Sequence, residues 1–66
     1  MRPVSIGQRY ETVNAPWLVW EVVEIIEQEI AGTHVVLRRI GDPRTTKTVS
    51  PTALSHARSY RLISVT

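Results

Sequence analysis

The chain has 66 residues, of which 42% are hydrophobic and 21% are charged, and its formal net charge is +2. This balance excludes a disordered tail, and the length restricts residues 1–66 to a single small domain. Cysteine is absent, which excludes a disulfide framework and a thiolate metal site and favours a reducing compartment.

The N-terminal residues and the apolar run that begins at Trp17 both argue against membrane insertion. Residues 1–7 lack the apolar core of a signal peptide. The later run is interrupted by Glu21, Glu24 and Glu27 before it is long enough to cross a bilayer. We therefore expect a soluble, cytoplasmic protein with no membrane partner.

Glycine and proline divide the chain into short segments at the spacing of β-strands. In the first segment, residues 8–13, Tyr10 and Thr12 alternate with Arg9 and Glu11. Such alternation is typical of a strand with one face buried. This segment is therefore predicted to be the first strand.

The second segment, residues 17–30, fits two structures and decides the fold. As a helix, it places Val19, Val22, Val23, Ile26 and Ile30 on one face. As a strand, its many β-branched residues and two tryptophans fit a pleated sheet and avoid the rotamer loss that a helix imposes. We favour the strand, and the alternative is an amphipathic helix in an α+β fold. On one predicted face of the strand lie Leu18, Trp20, Val22 and Ile26. On the opposite face lie Val19, Val23 and Ile25.

Ala31 and Gly32 predict a turn between this strand and a third strand over residues 33–40. A turn centred on these two residues gives a register that pairs opposite charges and apolar side chains. The pairs are Glu24 with Arg39 and Ile26 with Leu37.

Three further elements follow the third strand. Within residues 41–44, Asp42 and Pro43 are suited to the first and second positions of a type I turn, and this turn leads into a fourth strand over residues 45–49. Ser50 and Pro51 are a hydroxyl cap and a first-turn proline, which predict a short helical turn. The fifth strand covers residues 60–63. The fold class is therefore all-β: a small five-stranded antiparallel SH3-like barrel with one helical turn before the last strand.

Four strings carry a resemblance to a known group of proteins. They are Gly7-x-x-Tyr10, Trp20-Glu21-Val22-Val23-Glu24-Ile25, Asp42-Pro43 leading to Lys47-Thr48-Val49, and Tyr60-Arg61-Leu62-Ile63. With them the chain resembles short uncharacterised bacterial proteins that have an SH3-like small β-barrel. The resemblance covers most of the chain and implies this fold, but it implies no activity. The Ala-Leu-Tyr-Asp-Tyr and paired-tryptophan motifs of true SH3 domains are absent.

The residue inventory offers no catalytic constellation. Ser55 and His56 are neighbours, but the only aspartate, Asp42, lies in the predicted turn. The sequence therefore does not predict a nucleophile, a base and an orienting group close together in space. His34 and His56 supply the only imidazoles, and the glycines are isolated. We expect no enzyme activity, no metal site and no cofactor.

Basic residues cluster in one predicted hairpin, residues 38–47, and near the end of the chain. They are Arg38, Arg39, Arg44, Lys47, Arg58 and Arg61. Such a patch would follow a phosphate backbone while an exposed aromatic ring stacks on a base. The alternative is that nearby glutamates pair with these arginines and leave ordinary solvated charge.

Trp17 follows Pro16 at the end of a loop and is the best candidate for an exposed aromatic side chain. Other candidate contacts to a partner are Val19, Tyr10 and Tyr60. We predict a non-enzymatic interaction module that binds a protein partner or a second copy of itself. The alternative is nucleic-acid binding through the hairpin 38–47.

Overall fold

The computed structural model describes residues 3–64, which form one sheet of five antiparallel strands and one short helix. The elements are β1 (Arg9–Thr12), β2 (Ala15–Gln28), β3 (Gly32–Arg39), β4 (Asp42–Val49), α1 (Pro51–Leu54) and β5 (Tyr60–Ser64). The predicted all-β class, strand number and helical turn before the last strand are confirmed, and the alternative helix over residues 17–30 is excluded.

The strands lie in the order β4-β3-β2-β1-β5, so β4 and β5 are the two edges of the sheet. Within residues 3–64 these edges are not joined by strand pairing, and the sheet is not closed into a barrel. No helix in this part of the chain is long and apolar enough to cross a bilayer.

A β-bulge in β2 determines which of its side chains face the core. The pairing of β2 with β3 changes register between Val22 and Glu24, so Val23 is the extra residue. Val22 lies opposite Leu37 before the bulge, and Ile25 packs against the core after it. The prediction that Ile26 shares a face with Val22 is therefore wrong, because one inserted residue reverses the alternation.

The predicted register of the β2–β3 hairpin is also wrong. The turn comprises residues 29–31, and Gly32 already pairs with Gln28 at the start of β3, with a positive φ of 81°. The earlier turn and the bulge together shift the pairing along β3. The pairs found instead are Glu24 with Val36, Ile26 with His34, Val22 with Leu37, and Trp20 with Arg39.

The β3–β4 turn lies earlier in the chain than predicted. Arg39 pairs directly with Asp42, so Ile40 and Gly41 alone form the turn, and Gly41 has a φ of 91°. Glycine adopts this left-handed conformation without steric cost, which makes a two-residue turn favourable. The chain therefore re-enters the sheet at Asp42 rather than turning around Pro43.

The core lies on one face of the sheet, and α1 contributes to it. Its buried side chains are Tyr10, Trp20, Val22, Val35, Leu37 and Leu54. Leu54 is held there by α1, whose start is capped as predicted: the Ser50 hydroxyl oxygen accepts a hydrogen bond of 3.1 Å from the Ala53 backbone N–H. Pro51 occupies the first turn, where its missing N–H costs nothing.

Gln8 is the one polar residue buried among those described, and it connects the segment before β1 to the core. Its Oε1 accepts hydrogen bonds from the Ser5 backbone N–H and from the Tyr10 hydroxyl, both 3.0 Å long. Its Nε2 donates to the Pro3 carbonyl at 3.2 Å. Both the oxygen and the nitrogen of this side chain therefore have hydrogen-bond partners. An apolar side chain at this position could not form these hydrogen bonds.

Replacing Gln8 with leucine should lower the free energy of unfolding by about 1–3 kcal/mol, because the Ser5 and Tyr10 donors lose their shared acceptor. Urea denaturation measures this change. The matched control is Gln28→Leu at the exposed end of β2, where we expect a change within about 0.5 kcal/mol. Equal midpoints for the two variants would contradict the role given to Gln8.

Candidate interaction surface

Two turns and the start of β5 meet at one end of the sheet. The Ile40 backbone N–H donates to the Val19 carbonyl at 2.9 Å, which fixes the β3–β4 turn beside the first part of β2. The Val13 N–H donates to the Ser59 carbonyl at 3.0 Å, which fixes the β1–β2 turn beside the residue preceding β5. These bonds place residues from three separate parts of the chain at the same end of the sheet.

Trp17 lies at this end on an irregular part of β2. Thr12 pairs with Ala15 while the preceding residue, Glu11, pairs with Val19, so residues 16–18 are extra residues on β2. The Trp17 side chain is 73% exposed. Val13 and Ile40, at 39% and 42%, are the exposed apolar residues of the adjoining turns. We call Val13, Trp17 and Ile40 the Trp17 end.

Three arginines accompany the Trp17 end. Arg39 immediately precedes Ile40, Arg44 lies in the first part of β4, and Arg58 immediately precedes Ser59. The salt bridges found within residues 3–64 involve other arginines: Arg9 with Glu21, and Arg61 with Glu11. The positive charge around the Trp17 end is therefore not neutralised by ion pairs in the described part of the chain.

Asp42 is the acidic residue nearest to these arginines in the sequence. Its Oδ2 accepts a hydrogen bond of 2.6 Å from the Thr45 hydroxyl, which holds it within the first part of β4. One carboxylate among three arginines leaves this end of the sheet with a net positive charge. The surface therefore combines apolar area with a field that attracts carboxylates or phosphates.

The basic residues predicted as a nucleic-acid patch do not converge on one face. Arg38 lies opposite Glu21 on the outer face of the sheet, whereas Arg39 lies opposite Trp20 on the inner face. Lys47 also faces inward, opposite Leu37, and Arg61 forms its ion pair with Glu11. Successive strand residues point to opposite faces, so a run of basic residues along a hairpin is divided between them.

Lys47 makes a contact that no sequence pattern reveals. Its Nζ lies 4.2 Å from the centroid of the Trp20 ring and 4.9 Å from that of Tyr60. Both distances are within the range of cation–π interactions. Because Lys47 is in β4 and Tyr60 is in β5, this ammonium group connects the two edge strands across the inner face.

The candidate partner contacts differ strongly in exposure. Tyr10 is only 7% exposed and donates its hydroxyl hydrogen to Gln8, so it lies in the core. Tyr60 is half-buried beneath Lys47, and Val19 is half-buried opposite Glu11. Of the four candidates, Trp17 alone presents most of its side chain to solvent. Sequence reasoning missed Val13 and Ile40, because their exposure depends on where the turns lie.

A cleft of about 640 Å³ lies between α1, β1 and β5, and its walls are mostly apolar. Ser55 lines it, but its hydroxyl donates to the Thr52 carbonyl at 2.8 Å. The carboxylate of Asp42 accepts from Thr45 in β4 and does not line the cleft. Residues 3–64 contain no group of three or more histidine or acidic side chains placed to hold a metal ion.

Comparison with protein-family models, with curated proteins and with solved structures yields no match to this chain. The resemblance to SH3-like proteins therefore stays a prediction. The most distinctive feature of the described surface is the exposed Trp17, at an end of the sheet that also carries arginines.

Proposed function

We propose that the chain is a non-enzymatic interaction module whose Trp17 end binds a short, extended, acidic segment of a protein partner. The observation that carries this proposal is the 73% exposure of Trp17, at an end of the sheet that has two further exposed apolar residues. Covering the exposed part of one tryptophan is worth about 3 kcal/mol, which makes it an effective anchor for a partner. Tryptophan is enriched among the residues that act as binding hot spots.

The charge around this surface indicates the chemistry of the partner. Arg39, Arg44 and Arg58 belong to the segments that meet at this end of the sheet, and they lack ion pairs within residues 3–64. A partner segment that carries carboxylates beside an apolar side chain would satisfy both features. Its charges would accelerate association, and the apolar contact would slow dissociation.

Binding of single-stranded nucleic acid is the weaker alternative, for two reasons. Such proteins stack successive bases on several aromatic rings. Here Tyr10 and Trp20 are buried and Tyr60 lies under Lys47, which leaves Trp17 as the exposed ring. In addition, the basic side chains of the hairpin 38–47 point to both faces of the sheet. They do not form a continuous track for a phosphate backbone.

We also propose that the sheet belongs to the SH3-like class of small barrels and works in the cytoplasm. The strand order, the helical turn before β5 and the Lys47 contact between the edge strands support the barrel class. The lack of cysteine supports a reducing compartment. These two proposals concern the fold class and the compartment of the interaction module. They do not change its proposed binding surface.

Nuclear magnetic resonance of ¹⁵N-labelled protein tests the binding surface, with a synthetic peptide of alternating glutamate and leucine as the probe. The two indole N–H signals report on different places: Trp20 donates to the Thr12 hydroxyl oxygen at 3.2 Å, whereas Trp17 is exposed. We expect the Trp17 signal to shift and the Trp20 signal to stay. The small area indicates a Kd on the order of 10⁻⁴ M that weakens as salt is added.

Variants and competing ligands complete this test. Trp17→Ala should weaken peptide binding by about tenfold or more, while Ile63→Ala, at an exposed isoleucine on β5, should leave it unchanged. A peptide of alternating lysine and leucine should not bind. Failure of the acidic peptide to shift the Trp17 signal overturns the proposal. Salt-dependent binding of an oligo-dT strand without binding of the peptide would assign the surface to nucleic acid instead.

A further inference from the structure

The opposite end of the sheet carries the chemistry that the Trp17 end is proposed to bind. The turn of residues 29–31 joins β2 to β3 there, and Ile30 at its centre is fully exposed, at 101%. Glu27 and Glu29, just before it, are also exposed. We call Glu27, Glu29 and Ile30 the Ile30 turn.

Charge is separated along the length of the sheet. Residues 22–37, which contain the Ile30 turn, include three glutamates and neither lysine nor arginine. Residues 38–47, which lead into and out of the other turn, include three arginines, one lysine and one aspartate. The two ends therefore attract each other between molecules, and each offers an exposed apolar side chain at its centre.

We propose that the Ile30 turn of one copy docks on the Trp17 end of a second copy. This inference rests on the proposed function, because it uses the same surface, and it names the partner as the chain itself. Ile30 would cover Trp17, and the carboxylates of Glu27 and Glu29 would face the surrounding arginines. The contact thus pairs an apolar tip with an apolar surface and negative charge with positive charge.

A single molecule cannot satisfy its own two ends. Trp17 lies near the start of β2 and Ile30 lies just beyond its end, in a molecule whose longest dimension is 34 Å. Because the two contacting surfaces differ, one contact leaves a free Trp17 end and a free Ile30 turn, which either bind further copies or pair with each other in a reciprocal two-fold dimer. The small area at each end makes it weak, with a Kd on the order of 10⁻⁴ M.

Sedimentation over a wide range of protein concentration tests this arrangement. We expect the average mass of the unmodified chain to rise to that of a dimer or beyond near millimolar concentration, and to fall again when salt is added. Ile30→Asn and Trp17→Ala should each remain monomeric. Ile63→Asn, the matched change at an exposed isoleucine on β5, should assemble like the unmodified chain. A chain that is monomeric throughout, or an Ile63 variant that fails to assemble, overturns the inference.

Mixing the two monomeric variants separates a head-to-tail contact from a symmetric one. The Ile30→Asn chain keeps its Trp17 end, and the Trp17→Ala chain keeps its Ile30 turn, so the mixture should form one-to-one pairs and nothing larger. A symmetric contact between two Trp17 ends would not be restored by mixing, and the absence of pairs therefore overturns the head-to-tail contact.

The peptide of alternating glutamate and leucine distinguishes this failure from failure of the proposed function. The Ile30→Asn chain should still bind that peptide at its Trp17 end. If the peptide binds but no assembly of the unmodified chain is found, the acidic partner is another protein and only the self-association is wrong. If the peptide does not bind to the Ile30→Asn chain, both the proposed function and the self-association are wrong.

Discussion

Replacing Trp20 with alanine is expected to lower the free energy of unfolding by about 3–5 kcal/mol. Trp20 is 7% exposed and lies in the core. It pairs across the sheet with Tyr10 and Arg39, donates its indole hydrogen to Thr12, and accepts the Lys47 ammonium over its ring. A chain of this length is stable by about 3–10 kcal/mol, so the variant should be largely unfolded or close to it.

The matched control is Trp17→Ala, three positions earlier in the same strand. Because Trp17 is mostly exposed, this change should alter the free energy of unfolding by less than about 0.5 kcal/mol, even though it should weaken peptide binding by about tenfold or more. Urea denaturation followed by circular dichroism compares the two variants without relying on tryptophan emission. Comparable destabilisation of both would mean that Trp17 is packed, and it would remove the basis of the proposed binding surface.

Leu37→Ala is expected to lower the free energy of unfolding by about 2–5 kcal/mol. Leu37 is completely buried in the centre of the sheet, between its cross-strand partners Val22 and Lys47. Its removal leaves a cavity that a sheet hydrogen-bonded on both sides cannot close. In a domain of this size the loss should lower the thermal midpoint by about 10 °C or more, as measured by circular dichroism.

Leu37→Met keeps the volume of the side chain while changing its shape, and it should cost less than about 1.5 kcal/mol. The difference between the alanine and methionine variants therefore isolates the cavity from other effects of substitution. A thermal midpoint for Leu37→Ala equal to that of Leu37→Met would contradict a close-packed inner face.

Much of the fold could be predicted because its local signals agree. The β-branched composition of residues 17–30 outweighed their helical spacing, and the structure has a strand there. Ser50 and Pro51 predicted a capped helical turn from chemistry confined to a few neighbouring residues. Such features depend on the local backbone, so the neighbouring residues are sufficient to predict them.

The register could not be predicted, because it depends on where the regular pattern is interrupted. Val22 and Val23 are both apolar, and therefore nothing in the alternation shows that one of them is the extra residue of a bulge. The sequence marks Gly32 and Gly41 as turn residues, but a turn one residue longer or shorter moves every pair that follows it.

The candidate surface was predictable only in part, for the same reason. Trp17 could be singled out because it follows Pro16, whereas Val13 and Ile40 are placed at the same end of the sheet by hydrogen bonds to Ser59 and Val19, which are distant from them in sequence. The composition of residues 38–47 identifies a basic hairpin, but it does not show which face of the sheet each basic side chain occupies. Its division between the two faces of the sheet follows from strand geometry once the register is known.

The irregular start of β4 has a consequence for how copies of this chain avoid uncontrolled aggregation. An open edge strand is a template on which other chains can add strands, and amyloid grows by such addition. Here Pro43 has no N–H to offer, and three extra residues separate Asp42 from Thr46 in the pairing with β3. The first half of this edge strand is therefore a poor template for fibril growth.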